Sequence, residues 1–167
     1  KNVKLPDNLK VLGDGAFSEC VNLVTVNLPQ SLISIGKLSF NACKKLKSIN
    51  LPQSLKEINE EAFLDCVSLN EFVVPEGVEK IGAYAFDNMT SITEVTLGEK
   101  VQKIGTSAFS GCTSLQTVQL SNENLTEIST SAFNGCTLLQ NIQLPNTLQE
   151  IGESAFSGCT SLAEVQL

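Results

Sequence analysis

The stretch Val101-Gln102-Lys103-Ile104-Gly105-Thr106-Ser107-Ala108-Phe109-Ser110-Gly111-Cys112-Thr113-Ser114-Leu115-Gln116-Thr117-Val118-Gln119-Leu120 decides how the whole chain is read. Its apolar positions return at the same intervals along all 167 residues. Phenylalanine marks the beat: Phe17, Phe40, Phe63, Phe86, Phe109, Phe133 and Phe156 lie 23 residues apart, with a single step of 24. A period in this range is the mark of a solenoid, whose units bury their apolar faces only against their neighbours.

Eight apolar columns run through seven units. In the first unit they are Leu9, Leu12, Ala16, Phe17, Cys20, Leu23, Val26 and Leu28; in the fifth they are Val101, Ile104, Ala108, Phe109, Cys112, Leu115, Val118 and Leu120. Ser39, in the alanine column, is the one polar occupant. Cys20, Cys43, Cys66, Cys112, Cys136 and Cys159 form a column of their own, and Met89 fills the cell between the third and fourth of them. A thioether substitutes for a thiol in a packed core but not for half of a disulfide. The column therefore reads as six reduced, inward-facing, slowly reacting thiols packed as small hydrophobes. No C-x-x-C pair occurs, and no histidine is present to complete a zinc site.

Within a unit, Val26-Asn27-Leu28, Val95-Thr96-Leu97 and Ile142-Gln143-Leu144 alternate apolar and polar residues, which predicts a short strand. Pro6, Pro29, Pro52, Pro75 and Pro145 follow such segments and end them, having no N–H to donate. Ser34-Ile35-Gly36 and Lys80-Ile81-Gly82 predict a second short strand on an opposite wall. Gly13, Gly36, Gly82, Gly105 and Gly152 then mark a corner, for positive φ or for close backbone packing. Asn59 suits positive φ in that column and Ser129 does not. Glu60 to Cys66 and its equivalents read as one helical or 3₁₀ turn.

These columns resemble BspA-like leucine-rich repeats, also called the treponemal type: Leu55-x-x-Ile58 followed by Ala62-Phe63-x-x-Cys66-x-x-Leu69, and, more closely, Ile104 through Leu120. The resemblance covers essentially the whole chain. Departures are Ser39, Met89, Ile92 and one residue inserted around Asn122-Glu123, which should bulge a surface turn and leave the ladder intact. The expected fold is a right-handed leucine-rich-repeat solenoid of about seven 23-residue units, with parallel short strands in two sheets and single helical or 3₁₀ turns. Stacked turns about 4.8 Å apart make a rod roughly 34 Å long. The resemblance also implies a cell-surface or secreted setting and adhesion to host or matrix proteins, with no catalytic residue to carry over.

Composition narrows the function in the same direction. Without histidine there is no triad base and no imidazole ligand, so no nucleophile–base pair can be assembled and no enzyme or cofactor is expected. A net charge of −7, with 18 acids against 11 lysines, disfavours nucleic acid as a partner. No apolar run reaches the roughly 18 residues of a membrane span. The candidate binding face is the outward side of the main strands: Thr25, Asn27, Ser48, Asn50, Glu71, Val73, Glu94, Thr96, Thr117, Gln119, Asn141 and Gln143. Such a face could hold a protein or a glycan. Glu71 beside Glu94 offers two carboxylates, short of the six to eight oxygens that calcium takes. On the opposite wall, Glu57–Lys80 and Lys103–Glu127 are expected to pair across adjacent strands. Asn88 and Asn124 stand in Asn-x-Thr sequons.

Charge is uneven along the axis. Residues 1–56 carry eight lysines against three acids, residues 57–103 three against ten, and the remainder five acids and no lysine. Lys37, Lys44, Lys45 and Lys47 make the most basic patch. The chain opens at Val3-Lys4-Leu5-Pro6 and closes at Val165-Gln166-Leu167, the same segment of the repeat. It is therefore expected to be a single array, 1–167, cut from a longer one without either cap, and to self-associate end to end. Two functions compete: a non-enzymatic macromolecule-binding module, or a structural spacer with no ligand of its own.

Overall fold

The chain is described by a computed structural model covering residues 2–70, 72–120 and 123–166. It is a parallel β-solenoid in which each unit makes one turn and each turn has three sides. The front wall holds strands Asn2–Lys4, Thr25–Asn27, Ser48–Ile49, Glu94–Thr96, Thr117–Gln119, Asn141–Gln143 and Glu164–Gln166. The back wall holds Val11–Leu12, Ser34–Ile35, Glu57–Ile58, Lys80–Ile81, Lys103–Ile104, Glu127–Ile128 and Glu150–Ile151. The front strands begin one residue before the expected Val-x-Leu, so the apolar residue sits centrally, buried between two outward polar ones, as in Thr117-Val118-Gln119.

The back wall is one continuous sheet of seven parallel strands. On the front wall the first three strands pair with one another and so do the last four; the third unit lies between them, with Glu71 outside the described residues, and the two opposed walls are as expected. In the third unit the described residues contribute only an isolated bridge, Val73 to Thr96. Phe72 sets this unit apart in the core. It occupies the column filled elsewhere by Val26, Ile49, Val95, Val118 and Ile142, and its ring wedges edge-on against Phe63 (5.5 Å) and Phe86 (4.7 Å). The Phe63–Phe86 spacing is 5.8 Å, whereas the other steps of the stack run from 5.0 to 5.4 Å. An aromatic ring where the wall is built for a branched aliphatic accompanies the widest step of the stack.

The third side is where the sequence suggested a helical turn. No helix occurs among the described residues. Instead, successive N–H groups alternate in direction. Ala16, Ser18 and Cys20 donate three residues back within their own turn, while Gly15, Phe17 and Glu19 donate forward to carbonyls of the next turn at 2.7 Å. This alternation needs left-handed residues two before and two after each phenylalanine. Gly15, Gly111, Gly135 and Gly158 fill four such places, but Leu38, Ala42, Glu61, Asp65, Tyr84 and Asn88 are among ten non-glycine residues held at φ of 52–59°. Each costs about 1–2 kcal/mol intrinsically, and the strain persists because the cross-turn bonds over-determine the backbone.

The glycine corner column is thus explained by packing, not by φ, and Asn59 is not left-handed either. A Cβ on Gly82 would lie 2.5 Å from Glu60 N and 2.6 Å from Asn59 C, and one on Gly105 2.5 Å from the Gly82 carbonyl oxygen. Gly13, in the first turn, would meet nothing within 4 Å. Ser39 is fully buried, with Oγ 2.7 Å from the Gly36 carbonyl oxygen and 3.0 Å from that of Gly13. The one-residue insertion leaves the stack intact: Ile104 still registers with Ile128, and Phe109 and Phe133 stack at 5.4 Å. Ser121 and Asn122 themselves lie outside the described residues.

Two outcomes follow for stability. Phe86→Ala removes a fully buried ring between two intact neighbours and should lower the unfolding free energy by about 3–5 kcal/mol, against less than about 0.5 kcal/mol for exposed Glu94→Ala. Urea denaturation of the two variants checks this ordering. Gly82→Ala should lower the melting temperature because backbone must move to admit the methyl, while Gly13→Ala should leave it unchanged or raise it slightly. Equal melting temperatures for the two alanine variants would contradict the close-approach account.

Candidate functional site

Alternation in the front strands sorts each residue to one side. Val26, Ile49, Phe72, Val95, Val118 and Ile142 point into the core, which leaves their neighbours on the outer surface. Asn27, Ser48, Asn50, Val73, Glu94, Thr117, Gln119, Asn141 and Gln143 are exposed, and Thr25 and Thr96 are half-buried. Glu71 lies outside the described residues. Register places Glu94, Thr117 and Asn141 in one row and Val73, Thr96 and Gln119 in the next. Thr25 and Ser48 pair in the other sheet. Across the two rows, Gln119 Nε2 donates to Glu94 Oε1 at 2.6 Å.

The back wall carries a different pattern. Lys103 and Glu127 form the expected ion pair, 2.6 Å apart, and the Lys103 ammonium together with the Ser129 hydroxyl holds the Glu127 carboxyl below the usual carboxylate range. Glu57 and Lys80 are in register but do not pair; Lys80 Nζ lies 3.4 Å from Asn59 Oδ1 instead. At the corner between the back and turn walls, Lys37 donates to Glu60 at 3.0 Å and approaches Glu61 at 3.9 Å, with Asp14 Oδ1 accepting the Lys37 main-chain N–H at 2.8 Å. A shallow depression opens there, lined by Asp14, Lys37, Asn59, Glu60, Lys80, Gly82 and Ala83. Its lysines are engaged by neighbouring acid or amide groups, which makes it a self-neutralising surface. Lys37 thus stands apart from the basic patch expected of it with Lys44, Lys45 and Lys47. Lys45 in turn donates to Asn22 Oδ1 at 2.8 Å.

Chemistry elsewhere is structural. Among the described residues no group of three or more His, Cys, Asp or Glu is placed to hold a metal ion. Asn88 is exposed and donates to Asp65 Oδ1 at 2.6 Å. Neighbouring Asp87 has its carboxyl raised, chiefly by burial.

The cysteines have a partner that the sequence did not reveal. Five of the six Sγ atoms donate to the carbonyl oxygen of the preceding turn's phenylalanine: Cys43 to Phe17 at 3.2 Å, Cys66 to Phe40 at 3.1 Å, Cys112 to Phe86 at 3.2 Å, Cys136 to Phe109 at 3.1 Å and Cys159 to Phe133 at 3.1 Å. Met89 fills the same column, fully buried, without a proton to give. Burial pushes the Cys43 thiol up to about 11 and that of Cys112 to about 12. Cys66 moves the same way through burial, and Cys136 through its contact with Cys159 and burial. The expectation of six inward, slowly reacting thiols is corrected at both ends of the column: Cys159 is only half-buried, its thiol lowered by its contact with Cys136. Cys20 is exposed because it lies in the first turn, with no described phenylalanine carbonyl beneath it.

The geometry is that of a repeat wall, and the comparisons agree with it. The BspA type leucine rich repeat region matches residues 1–97 and 79–167, in six copies. The chain belongs to the BspA-type leucine-rich-repeat family. A T. pallidum leucine-rich repeat protein superposes on this BspA-type array with a TM-score of 0.92 at 35% identity, over 98% of this chain and 78% of that one. A leucine-rich repeat protein from Bacteroides ovatus gives 0.82 at 33% identity, over 98% of this chain but 48% of the other, so the array spans about half that protein. The pneumococcal vaccine antigen PcpA shares the fold, with a TM-score of 0.59 at 23% identity over 88% of this chain and 35% of that one. No curated protein sequence matches the chain.

Because the raised thiols are protonated in the folded state, the stability they contribute is complete below the ordinary thiol value of 9.0 and is lost as pH rises through about 11. Native labelling at pH 8 with a small maleimide should therefore modify Cys20 quickly. Cys43, Cys66, Cys112 and Cys136 should react only on unfolding, read by mass spectrometry of the peptides. Fast native labelling of Cys112 would refute the buried column.

Proposed function

We propose that this array is a non-enzymatic recognition module of a surface or secreted protein, holding a macromolecule on its front wall, with adhesion to host or matrix protein or glycan as its role. One observation carries the reading. The outward rows of the front wall are dominated by uncharged Asn, Ser, Thr and Gln side chains, set on a parallel ladder whose inward neighbours are buried. Side chains fixed in this way lose little conformational freedom on binding, and each offers both a donor and an acceptor. Lysine–acid pairing on the back and corner walls leaves those surfaces largely neutralised from within. The surface or secreted setting is the one in which repeats of this family commonly occur, and such repeats carry no catalytic motif.

The test is an array of matrix proteins and glycans probed with the protein, followed by the double substitution Gln119→Ala and Gln143→Ala. Both side chains are exposed, so the melting temperature should hold, while affinity for the captured partner should drop at least tenfold. Full affinity in the double variant would overturn the front-wall reading and favour a spacer.

A further inference from the structure

Lysines and acids on this array answer one another across turns. Lys37 meets Glu60, Lys56 meets Glu79 and Lys103 meets Glu127, in each case the residue of the same column one turn on. The stretch Cys43-Lys44-Lys45-Leu46-Lys47-Ser48 departs from that rule. The columns of its three lysines hold Val21, Asn22 and Val24 in the turn before and Val67, Ser68 and Asn70 in the turn after, so no acid shares a column with them on either side. Among the described residues the three form no ion pair, and Lys45 takes the Asn22 amide oxygen at 2.8 Å instead. Glu19 and Asp65 stand two residues before the Lys44 column in the flanking turns, and Asp65 already accepts the Asn88 amide at 2.6 Å.

The backbone beneath the lysines is fixed. Leu46 is fully buried, Lys44 N–H donates to Ala42 O at 2.8 Å, and Leu46 N–H donates to Cys43 O at 2.9 Å. The two adjoining turns hold it as well: Lys47 N–H donates to Val24 O at 3.1 Å, and Ser68 Oγ donates to Lys44 O at 2.6 Å. With Leu46 anchored in the core, Lys44, Lys45 and Lys47 all stand exposed on one turn, at the edge where the turn wall meets the front wall. Asn22 and Asn70, also exposed, flank them with amides.

We propose that this turn is a binding site of its own for a linear sulfated polysaccharide. It goes beyond the front-wall reading and does not depend on it. Three ammonium groups within four residues match anionic groups carried close together on a flexible chain, and each ammonium offers three rotatable donors to the oxygens of a sulfate. The flanking amides both donate to and accept from sugar hydroxyls. The rest of the array selects for a narrow ligand. A net charge of −7 repels any polyanion spread along the axis, whereas the lysine triplet acts within a Debye length of about 8 Å. Nucleic acid fits less well. Single strands are held by aromatic side chains on which bases stack, and the exposed aromatic of the described residues, Tyr84, stands two turns away.

The experiment measures binding of a fluorescently labelled heparin dodecasaccharide to the whole chain by anisotropy. Lys44→Gln combined with Lys47→Gln should weaken it at least about tenfold and leave the melting temperature unchanged, since both side chains are exposed. Lys80→Gln combined with Lys100→Gln removes the same charge elsewhere and should weaken it less than about twofold. Log affinity should fall against log salt with a slope of about −2, the value for three contacts on a flexible polyanion. A desulfated chain of equal length, a single-stranded DNA dodecamer and vesicles of anionic lipid should each bind more weakly. Equal losses from the two lysine pairs would overturn the proposal. So would failure of the sulfated chain to bind at millimolar concentration, or binding of any of the three competitors as tightly as the sulfated chain. Gln119→Ala combined with Gln143→Ala should leave saccharide affinity unchanged; loss there would move the site to the front wall and overturn the proposal as well. The front-wall reading is decided separately, by whether a captured partner other than the saccharide is lost in that variant.

Discussion

Each central phenylalanine of the stack is held twice. Its ring lies against the rings of the turns above and below, 5.0–5.8 Å away and within 23° of parallel, and its N–H reaches the carbonyl of the next turn, as Phe63 reaches Ala85 at 2.8 Å. Neither hold exists within a single unit. An isolated turn would expose its ring and leave alternate peptide groups without partners, so stability is a property of neighbours. The double fixation also explains how leucine, glutamate and tyrosine tolerate left-handed backbone two residues from each ring. Releasing them would free the strain and forfeit the cross-turn bonds.

The same closeness of turns dictates the small residues at the corners and the hydroxyls along the edges. Gly82 and Gly105 are glycine because the preceding turn's backbone occupies the place of a Cβ. Serines and threonines reach back one turn to carbonyls, as Ser54 does to Leu32 at 2.6 Å and Ser91 to Val67 at 2.6 Å. The cysteines do likewise through sulfur. A thiol suits that column because it packs as a hydrophobe and still supplies a weak donor to a carbonyl that is already accepting one N–H, as Phe40 O accepts from both Cys43 N and Cys66 Sγ. Ends of the stack lose these partners, which is why Cys20 is exposed and Phe17 and Phe156 are only partly covered.

Regularity on this scale makes its single large exception informative. Phe72 belongs to an aliphatic column, and the aromatic step beside it, from Phe63 to Phe86, is the widest of the stack. The wall proposed for recognition presents mostly uncharged polar side chains, while the continuous back wall carries a charge pattern that largely answers itself.

Sequence alone determined the solenoid, its period, its two strand positions per unit and the inward columns, because one residue type recurring at a fixed interval can be buried only by stacking like on like. It also determined which side chains face outward on the front wall, since strand alternation is a local rule. The corner glycines were legible only as a choice between left-handed backbone and close approach, and the distance to the preceding turn decides that choice. From sequence the turn wall reads as helical because its i→i+3 bonds are local, whereas the forward bonds that unwind it into alternating peptides come from another turn. Phe72 was visible as an apolar residue in its column; its consequence was not, because the room available to a ring depends on Phe63 and Phe86 in the turns on either side. The Cys43 thiol's bond to the Phe17 carbonyl, and Lys80 turning to Asn59 when Glu57 stands in register, were likewise settled by three-dimensional packing, which fixes the distance and direction between residues some twenty positions apart.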